Sequence, residues 1–448
     1  MNSSIRIDVP EKAKNIVAAI QAAGFEAYVV GGCVRDSILG REPQDWDITT
    51  SARPEQIKAL FPRTIDTGLQ HGTVTVMQDK QSFEVTTYRI DGEYEDGRHP
   101  KEVVFTPNLE EDLKRRDFTM NAMAYNEEKG LIDIFGGIAD MRAGIIRCVG
   151  NPEERFQEDA LRILRAIRFS AQLGYEIDGA TREAIRKYAP ALCHISAERI
   201  QAELVRMLTS PHPDYLREAY KLGVTKMFLP EFDRAMETEQ VHPHHSYSVG
   251  EHTLHSLKET EPDKVLRLTM LFHDIGKPST VTVDEKGITH FYGHAAVGAD
   301  MTENILRRLR FDNDTIAMVS RLVTYHDYGN SLEPNARRMR RALNKIGEDA
   351  FPALFQVKYA DLMAQSDYLR REKLERLRKW EQLYKEVLDK RQCVSLKTLA
   401  VSGADLIEAG MKPGKELGSV LQRLLELVLE EPSRNTKEKL LEEAEKMM

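Results

Sequence analysis

Asp45 and Asp47, one residue apart in Gln44-Asp45-Trp46-Asp47-Ile48, are spaced for metal chemistry. Alternate side chains on an extended segment share a face, so the two carboxylates point one way and repel unless a cation lies between them. An oxygen-rich pair with open positions suits Mg2+. Upstream, Val29-Val30-Gly31-Gly32-Cys33-Val34-Arg35 reads as a strand, a diglycine turn and a helix. There Gly32 lets the backbone approach a phosphate, the helix start supplies N–H donors, and Arg35 adds a charged fork. Glu84, between Phe83 and Val85, is either a third carboxylate of this group or the wet side of an edge strand. The chemistry such a group would do is metal-assisted phosphoryl transfer.

Two further sets carry charge at regular spacing. Asp159, Arg162, Arg165 and Arg168 recur every three residues, which keeps them on one slowly drifting helix face. Such a row can grip a triphosphate, while one carboxylate and one guanidinium present an acceptor and a donor to a base; a wet face of paired charges is the plainer alternative. Farther on come His252, the adjacent His273-Asp274, His294, and a last candidate at Asp327 or its neighbour His326. Imidazoles with carboxylates suit Mn2+, Fe, Co or Ni, unless hydrogen bonds alone satisfy them. The histidines of Val241-His242-Pro243-His244-His245 read as an exposed loop, and Trp380 as a packing anchor. Arg337, Arg338, Arg340 and Arg341 either contact RNA phosphates or form a solvated helix face.

The elements that must hold these residues follow from periodicity. Residues 11–23 read as a helix, 27–30 as a buried strand, 46–49 as a short strand and 54–60 as a helix. Residues 72–77 and 82–89 alternate like paired strands, and 114–125 reads as a helix. Residues 90–100, rich in Gly and charge, read as a mobile loop. From Pro152 onward strand signals nearly vanish: 158–173 reads as one helix ending at Gly174, and a small hairpin surrounds residues 284–287. The expected class is α+β, a mixed sheet with helices over 1–140 followed by helical parts over 141–215, 216–345 and 346–448.

Composition sets outer limits. The 448 residues allow two to four domains, and the four cysteines form no CxxC pair, so no disulfide framework is expected. No apolar run approaches the roughly 20 residues of a membrane span, the N-terminal segment lacks a signal-like apolar stretch, and a cytoplasmic location is expected. With 63 Lys+Arg against 71 Asp+Glu the net charge is −8, which at face value argues against a nucleic-acid partner. The charge is uneven, however: residues 301–400 hold 20 bases and 14 acids.

The diglycine, a dozen residues and then Asp-x-Asp resemble the signature of the DNA polymerase β-like nucleotidyltransferases. That resemblance implies two Mg2+ ions, one lowering the pKa of an attacking 3′-hydroxyl and one steadying the leaving pyrophosphate. The strings Arg115-Arg116-Asp117-Phe118-Thr119-Met120-Asn121-Ala122, Glu158-Asp159-Ala160-Leu161-Arg162 through Phe169, and Ile195-Ser196-Ala197-Glu198-Arg199-Ile200 are similar to motifs of class II tRNA nucleotidyltransferases, the CCA-adding enzymes, and the likeness continues through Ser402–Gly418. It implies a tRNA 3′ end, CTP and ATP as partners, with Asp159 and Arg162 as a protein template for the base. Gly32, Arg35, Arg116, Arg165 and Arg168 would position the nucleotide, with Asp117 near the ribose. The loop 89–100 is similar to one tied to switching from CTP to ATP, which favours full CCA addition or A-only addition. The tail 401–448, with 7 bases and 10 acids, disfavours poly(A) synthesis. The set His252, His273-Asp274-Ile275-Gly276-Lys277-Pro278, His294 and His326 or Asp327 resembles the HD phosphohydrolases, implying either a hydrolytic centre for phosphate esters or a helical spacer.

Overall fold

The computed structural model describes residues 5–91 and 103–447, so most of the loop expected over 90–100 lies outside the described residues. The chain divides into two compact units, Met1–Pro230 and Glu231–Met448.

The first unit is built on a mixed sheet of seven strands: β1 (Ala27–Val30), β2 (Ile48–Thr50), β3 (Thr64–Gly68), β4 (Thr73–Gln78), β5 (Gln81–Thr87), β6 (Ala124–Asn126) and β7 (Gly130–Ile132), in the order β3-β4-β5-β2-β1-β6-β7. β2 and β5 run parallel, pairing Ile48 with Val85, and the other neighbours are antiparallel. β4 and β5 form the expected hairpin, turned by Asp79 and Lys80, both at positive φ. Such a turn matches the twist of its strands. Along β5, buried Phe83, Val85 and Thr87 alternate with the more open Ser82, Glu84 and Thr86. One sheet face is therefore core and the other polar. Ile90 and Asp91, expected in a loop, instead extend the strand Arg89–Asp91, which pairs with Val103–Phe105.

Two helix expectations need correction. Residues 114–125 are not a helix: Leu109–Lys114 is helical, then Phe118–Met123 turns through a short 3-10 segment into β6, with Phe118, Met120, Ala122 and Met123 fully buried. Burial of this apolar stretch overrides the helical pattern. The expected single helix 158–173 is two, Pro152–Glu158 and Leu161–Leu173, broken at an extended Asp159 with φ −149° and ψ 103°. The Asp159 carboxylate accepts from the Leu161 N–H at 3.0 Å, a local bond that competes with helix continuation. The second helix stops at Gly174 in the left-handed conformation, as expected.

The second unit is helical apart from the small hairpin Thr282–Val283 with Thr289–His290. Two apolar clusters hold it, one around Leu322, Leu343, Leu354 and Trp380, the other around Leu406, Leu424, Val428 and Leu440. Among the described residues no helix is long and apolar enough to cross a membrane.

Candidate active site and a second ligand cluster

In the first unit the register assembles the acidic group. The Val30 N–H donates to the Asp47 carbonyl at 3.0 Å, prolonging the β1–β2 ladder by one residue. Because Ile48 pairs with Val85, Asp47 falls beside Glu84, and both lie on the polar face opposite the buried Ile48 and Val85. Asp45, Asp47 and Glu84 are all exposed residues. Although Asp47 is open as a residue, burial of its carboxyl pushes its pKa above the usual range, and the charges of Glu84 and Asp45 add to that, while Arg116 pulls the other way. Net negative charge is thus left uncompensated at this spot. That excess and an all-oxygen donor set fit a divalent cation.

The turn beside the group depends on the first glycine rather than on Gly32. Gly31 sits at φ 82° and ψ −126°, and a Cβ there would meet the Arg116 guanidinium at 3.1 Å. Gly32 opens the helix Gly32–Ile38 without either constraint.

The arginines lie in a continuous network. Arg35 is chelated by the Asp36 carboxylate at 2.9 and 2.8 Å and donates to Asn121 at 2.6 Å. Asn121 in turn donates to Asp117 at 3.1 Å. Asp117 also accepts from the Phe118 N–H at 2.8 Å and from Arg165 at 2.8 Å. Against the cost of burial, Arg165 and Asn121 hold the Asp117 carboxyl down to about 2. Asp117, expected near a ribose, is saturated by protein donors. Arg115 chelates the buried Asp112, and Arg116 lies 3.5 Å from the same carboxylate.

Asp159 and Arg162 are mounted on two supports. Asp159 is gripped by Arg199, whose nitrogens lie at 2.6 and 3.3 Å. Arg162 pairs with Glu158 and donates to the Arg115 carbonyl at 3.0 Å. Arg168 is buried against Glu203, its guanidinium 3.9 Å from the Phe169 ring centre. Burial lowers its pKa to about 10. The break at Asp159 overturns the expectation of one continuous row, and Arg168 does not stand free to grip a triphosphate. Arg199 and Glu203 had escaped a role; both lie in or just after the quoted motif at Ile195–Ile200.

In the second unit four imidazoles converge. His273, His294 and His326 each donate Nδ1–H to a backbone carbonyl, of Met270, Phe291 and Val323, at 2.7, 2.8 and 2.7 Å. His252 does so more loosely to Ala364 at 3.4 Å. The Nε2 lone pairs are left facing one another: His252 and His273 lie 3.2 Å apart, His294 and His326 3.3 Å apart. Asp274 stands between the pairs, Oδ2 at 3.6 and 3.3 Å from the first and Oδ1 at 3.6 and 3.7 Å from the second. His326 is the residue of its dipeptide that joins the group; Asp327 is exposed and only lines the neighbouring cavity.

Asp361 completes the group at 2.9 Å from His252 and had escaped notice. Its signal was a lone carboxylate in the apolar helix Phe351–Ala364. Lys277 lies 2.7 Å from Asp274 Oδ2, yet that buried oxygen has no aligned hydrogen-bond donor. Against the cost of burial, Lys277 and His273 hold Asp274 well below the usual carboxylate range. Converging lone pairs, ionised carboxylates and an under-satisfied buried oxygen fit metal ions. Close approach of the two halves requires Gly276, where a Cβ would stand 2.3 Å from the His294 carbonyl. His242, His244 and His245 are not an exposed loop: all are part-buried and line this cavity, and burial drops His245 to about 3.

The basic helix Ala336–Ile346 also departs from expectation. Arg340 is buried and donates to the Leu429 and Glu430 carbonyls at 2.8 and 3.0 Å and to Gln392 at 3.1 Å. Arg337 and Arg341 both pair with Glu430, and Arg338 bonds the Glu333 carbonyl. The unsatisfied carbonyls at the end of helix Lys415–Glu430 draw these cations inward, and Arg340 is not available to RNA.

Residues 27–147 match the profile of the poly A polymerase head domain, and residues 280–444 match domain 2 of tRNA nucleotidyltransferases. The chain is 35% identical to the CCA-adding enzyme of Lactobacillus helveticus over 446 residues, 97% of this chain and 98% of that one. It belongs to the CCA-adding enzyme family. Identity to the family member of Lactiplantibacillus plantarum rises to 51% over 203 residues, 45% of this chain and 50% of that one. The Bacillus stearothermophilus CCA-adding enzyme, solved in complex with CTP, superposes with TM-score 0.73 at 29% identity, covering 98% of this chain and 97% of that one. The Thermotoga maritima CCA-adding enzyme, solved with tRNA_CCA, shares the fold at TM-score 0.56 and 21% identity, with 98% and 96% covered.

Proposed function

We infer that this chain adds C, C and A to the 3′ end of tRNA from CTP and ATP, releasing pyrophosphate. Near full-length identity with CCA-adding enzymes carries this reading, and the acidic group beside the glycine turn supplies the matching chemistry. Dependence on a divalent metal goes with the family; Asp45, Asp47 and Glu84 would hold two Mg2+ ions. When bound, those ions lower the pKa of the attacking 3′-hydroxyl and offset charge on the leaving pyrophosphate.

The chain's own residues orient the reactants. The Gly31–Gly32 turn and Arg35 border the triphosphate, and Arg116, between Asp112 and Asp47, contributes charge at its edge. Asp159 and Arg162 offer acceptor and donor to the base, exchanging Arg199 and Glu158 for it. Arg165 is aimed by Asp117, while Arg168 and Glu203 brace the helix from behind. In this scheme residues 1–140 form the catalytic head, 141–215 the base-reading neck, and the remainder carries the histidine cluster and the tRNA-holding tail. A tRNA lacking CCA, incubated with labelled CTP, ATP and Mg2+ and sequenced at its 3′ end, tests it. Extension by CCA is expected; A alone on a CC end makes it A-adding, and no extension overturns the reading.

The six-residue cluster favours a second capacity. His252, His273, Asp274 and Asp361 would hold one transition-metal ion, and Asp274, His294 and His326 another. Bound ions supply electrophilic activation of a phosphate ester and acidify water. In the hydrolysis a water oxygen bonds to phosphorus, the ester P–O bond breaks, and the departing oxygen takes up a proton. Lys277 would steady the phosphate. Mn2+ titration by calorimetry, with and without His273→Ala, tests the ligand set.

A further inference from the structure

A cavity of about 420 Å3 opens beside the histidine cluster, between helix Phe351–Ala364 and the helix Arg370–Asp389. It lies within the 300–1,000 Å3 range typical of small-molecule sites. It shares His244, His245, Asn330, Asp361 and Gln365 with the cavity over the ligand cluster, so the two are continuous at Asp361.

Its walls differ from end to end. Leu362, Leu377 and Trp380 line an apolar part, while Lys358, Lys373 and Arg376 bring three cations. Their hydrogen-bond partners are neutral. Lys358 donates to the Asn330 side chain at 3.0 Å, Lys373 to Gln365 at 2.7 Å, and Arg376 to the Asn330 carbonyl. Among the described residues none of the three is ion-paired, whereas Arg165 and Arg168 are each paired with a carboxylate. Two carboxylates lie on the wall: Asp361 bonds His252 and attracts Lys358 and Lys373 without pairing with either, and Glu372 is exposed. Burial brings the Lys358 ammonium down to about 8, against the opposing pull of Asp327 and Asp361.

We propose that this cavity binds a nucleotide, its phosphate on Lys358, Lys373 and Arg376 and its base against Leu377 and Trp380. Three converging cations without an ion pair suit a multiply charged anion, and an apolar pocket walled by an indole accepts a planar base. The phosphate then lies beside Asp361, at the door of the cluster. The assignment rests on reading that cluster as a hydrolytic centre, for which it names the substrate class.

The test begins with metal-free protein in EDTA, so that binding is read apart from turnover. With Trp46→Phe leaving Trp380 as the sole tryptophan, titration with AMP changes Trp380 emission saturably, and ribose 5-phosphate binds at least tenfold more weakly. Lys373→Ala with Arg376→Ala weakens AMP at least tenfold, while the melting temperature and the circular dichroism spectrum stay at the parent level. Calorimetry of that double variant in the natural-tryptophan background repeats the contrast should Trp46→Phe not fold. No AMP response, or AMP binding unaltered by the double variant, overturns the proposal; equal binding of ribose 5-phosphate overturns the base pocket. Hydrolysis of p-nitrophenyl phosphate with Mn2+ is measured in parallel. If it proceeds while AMP fails to bind, the cavity assignment alone falls. If AMP binds as described but Mn2+ neither binds nor supports hydrolysis, the binding site stands and the hydrolytic reading falls.

Discussion

The acidic group of the first unit and the histidine cluster of the second both gather like charges, and they manage the repulsion in opposite ways. Asp45, Asp47 and Glu84 are exposed residues on the polar side of the sheet, and the Asp47 carboxyl is pushed up by its own burial and by the charges of Glu84 and Asp45. In the cluster Asp274 is buried and Asp361 part-buried among imidazoles and a lysine, and both carboxyls are held below the usual range. The open group leaves nearly all its compensation to what it binds; the closed one is compensated in part by its own chain. The contrast extends to the arginines. Those with protein carboxylates around them, Arg165 and Arg168, are fixed parts, and Asp159 with Arg162, each held by one exchangeable partner, lies between the extremes.

Breaking the open group has the largest expected effect. Asp47→Ala lowers CTP incorporation by at least about 10^3-fold, on the order of 4 kcal/mol of barrier, while leaving Mn2+ binding at the cluster unchanged. Loss of both together would mean that the two are not independent. His273→Ala weakens Mn2+ at the cluster by at least about 100-fold, read by calorimetry, with CCA addition intact. Arg340→Ala probes a closed cation: it costs about 3 kcal/mol in denaturant unfolding, because buried carbonyls lose their donors. Arg341→Ala, on the exposed pair with Glu430, costs under about 1 kcal/mol.

Asp117 sharpens the comparison through pH. Its folded value near 2 lies below the ordinary 3.9 or so. The stability it contributes is therefore full above about pH 4 and is lost as pH falls towards 2. Asp117→Asn removes on the order of 2–3 kcal/mol at pH 7 and flattens the decline between pH 4 and 2. An unchanged acid limb would count against the clamp. A modest effect on base choice is expected from Arg199→Ala, which frees Asp159. CTP:UTP discrimination falls about tenfold, roughly 1.4 kcal/mol, with little change in triphosphate affinity.

Much of this was legible beforehand, for identifiable reasons. The hairpin of β4 and β5 and the helix Glu11–Ala22 were plain because their periodicity and their burial agree. Asp45, Asp47 and Glu84 could be grouped because strand alternation is strict. What escaped were features set by distant partners. Phe118–Met123 looks helical until it is buried under β1, and Asp159 leaves the helix because its own side chain caps the next one. Arg340 reads as a surface cation until a helix end, some ninety residues downstream, presents bare carbonyls. Asp361 has no local motif at all; its meaning comes from His252, which no spacing rule places beside it.

The bend at Asp159 carries one last consequence. Two residues on one helix turn as a single lever and hold a constant offset. Here Asp159 is tethered to the helix Ala197–Leu208 through Arg199, and Arg162 to the helix Pro152–Glu158 through Glu158. Donor and acceptor are therefore held by separate supports, and in the proposed base-reading role each would be released from its own partner instead of turning as one lever. A jaw whose two sides unlock separately suits ligands of more than one width.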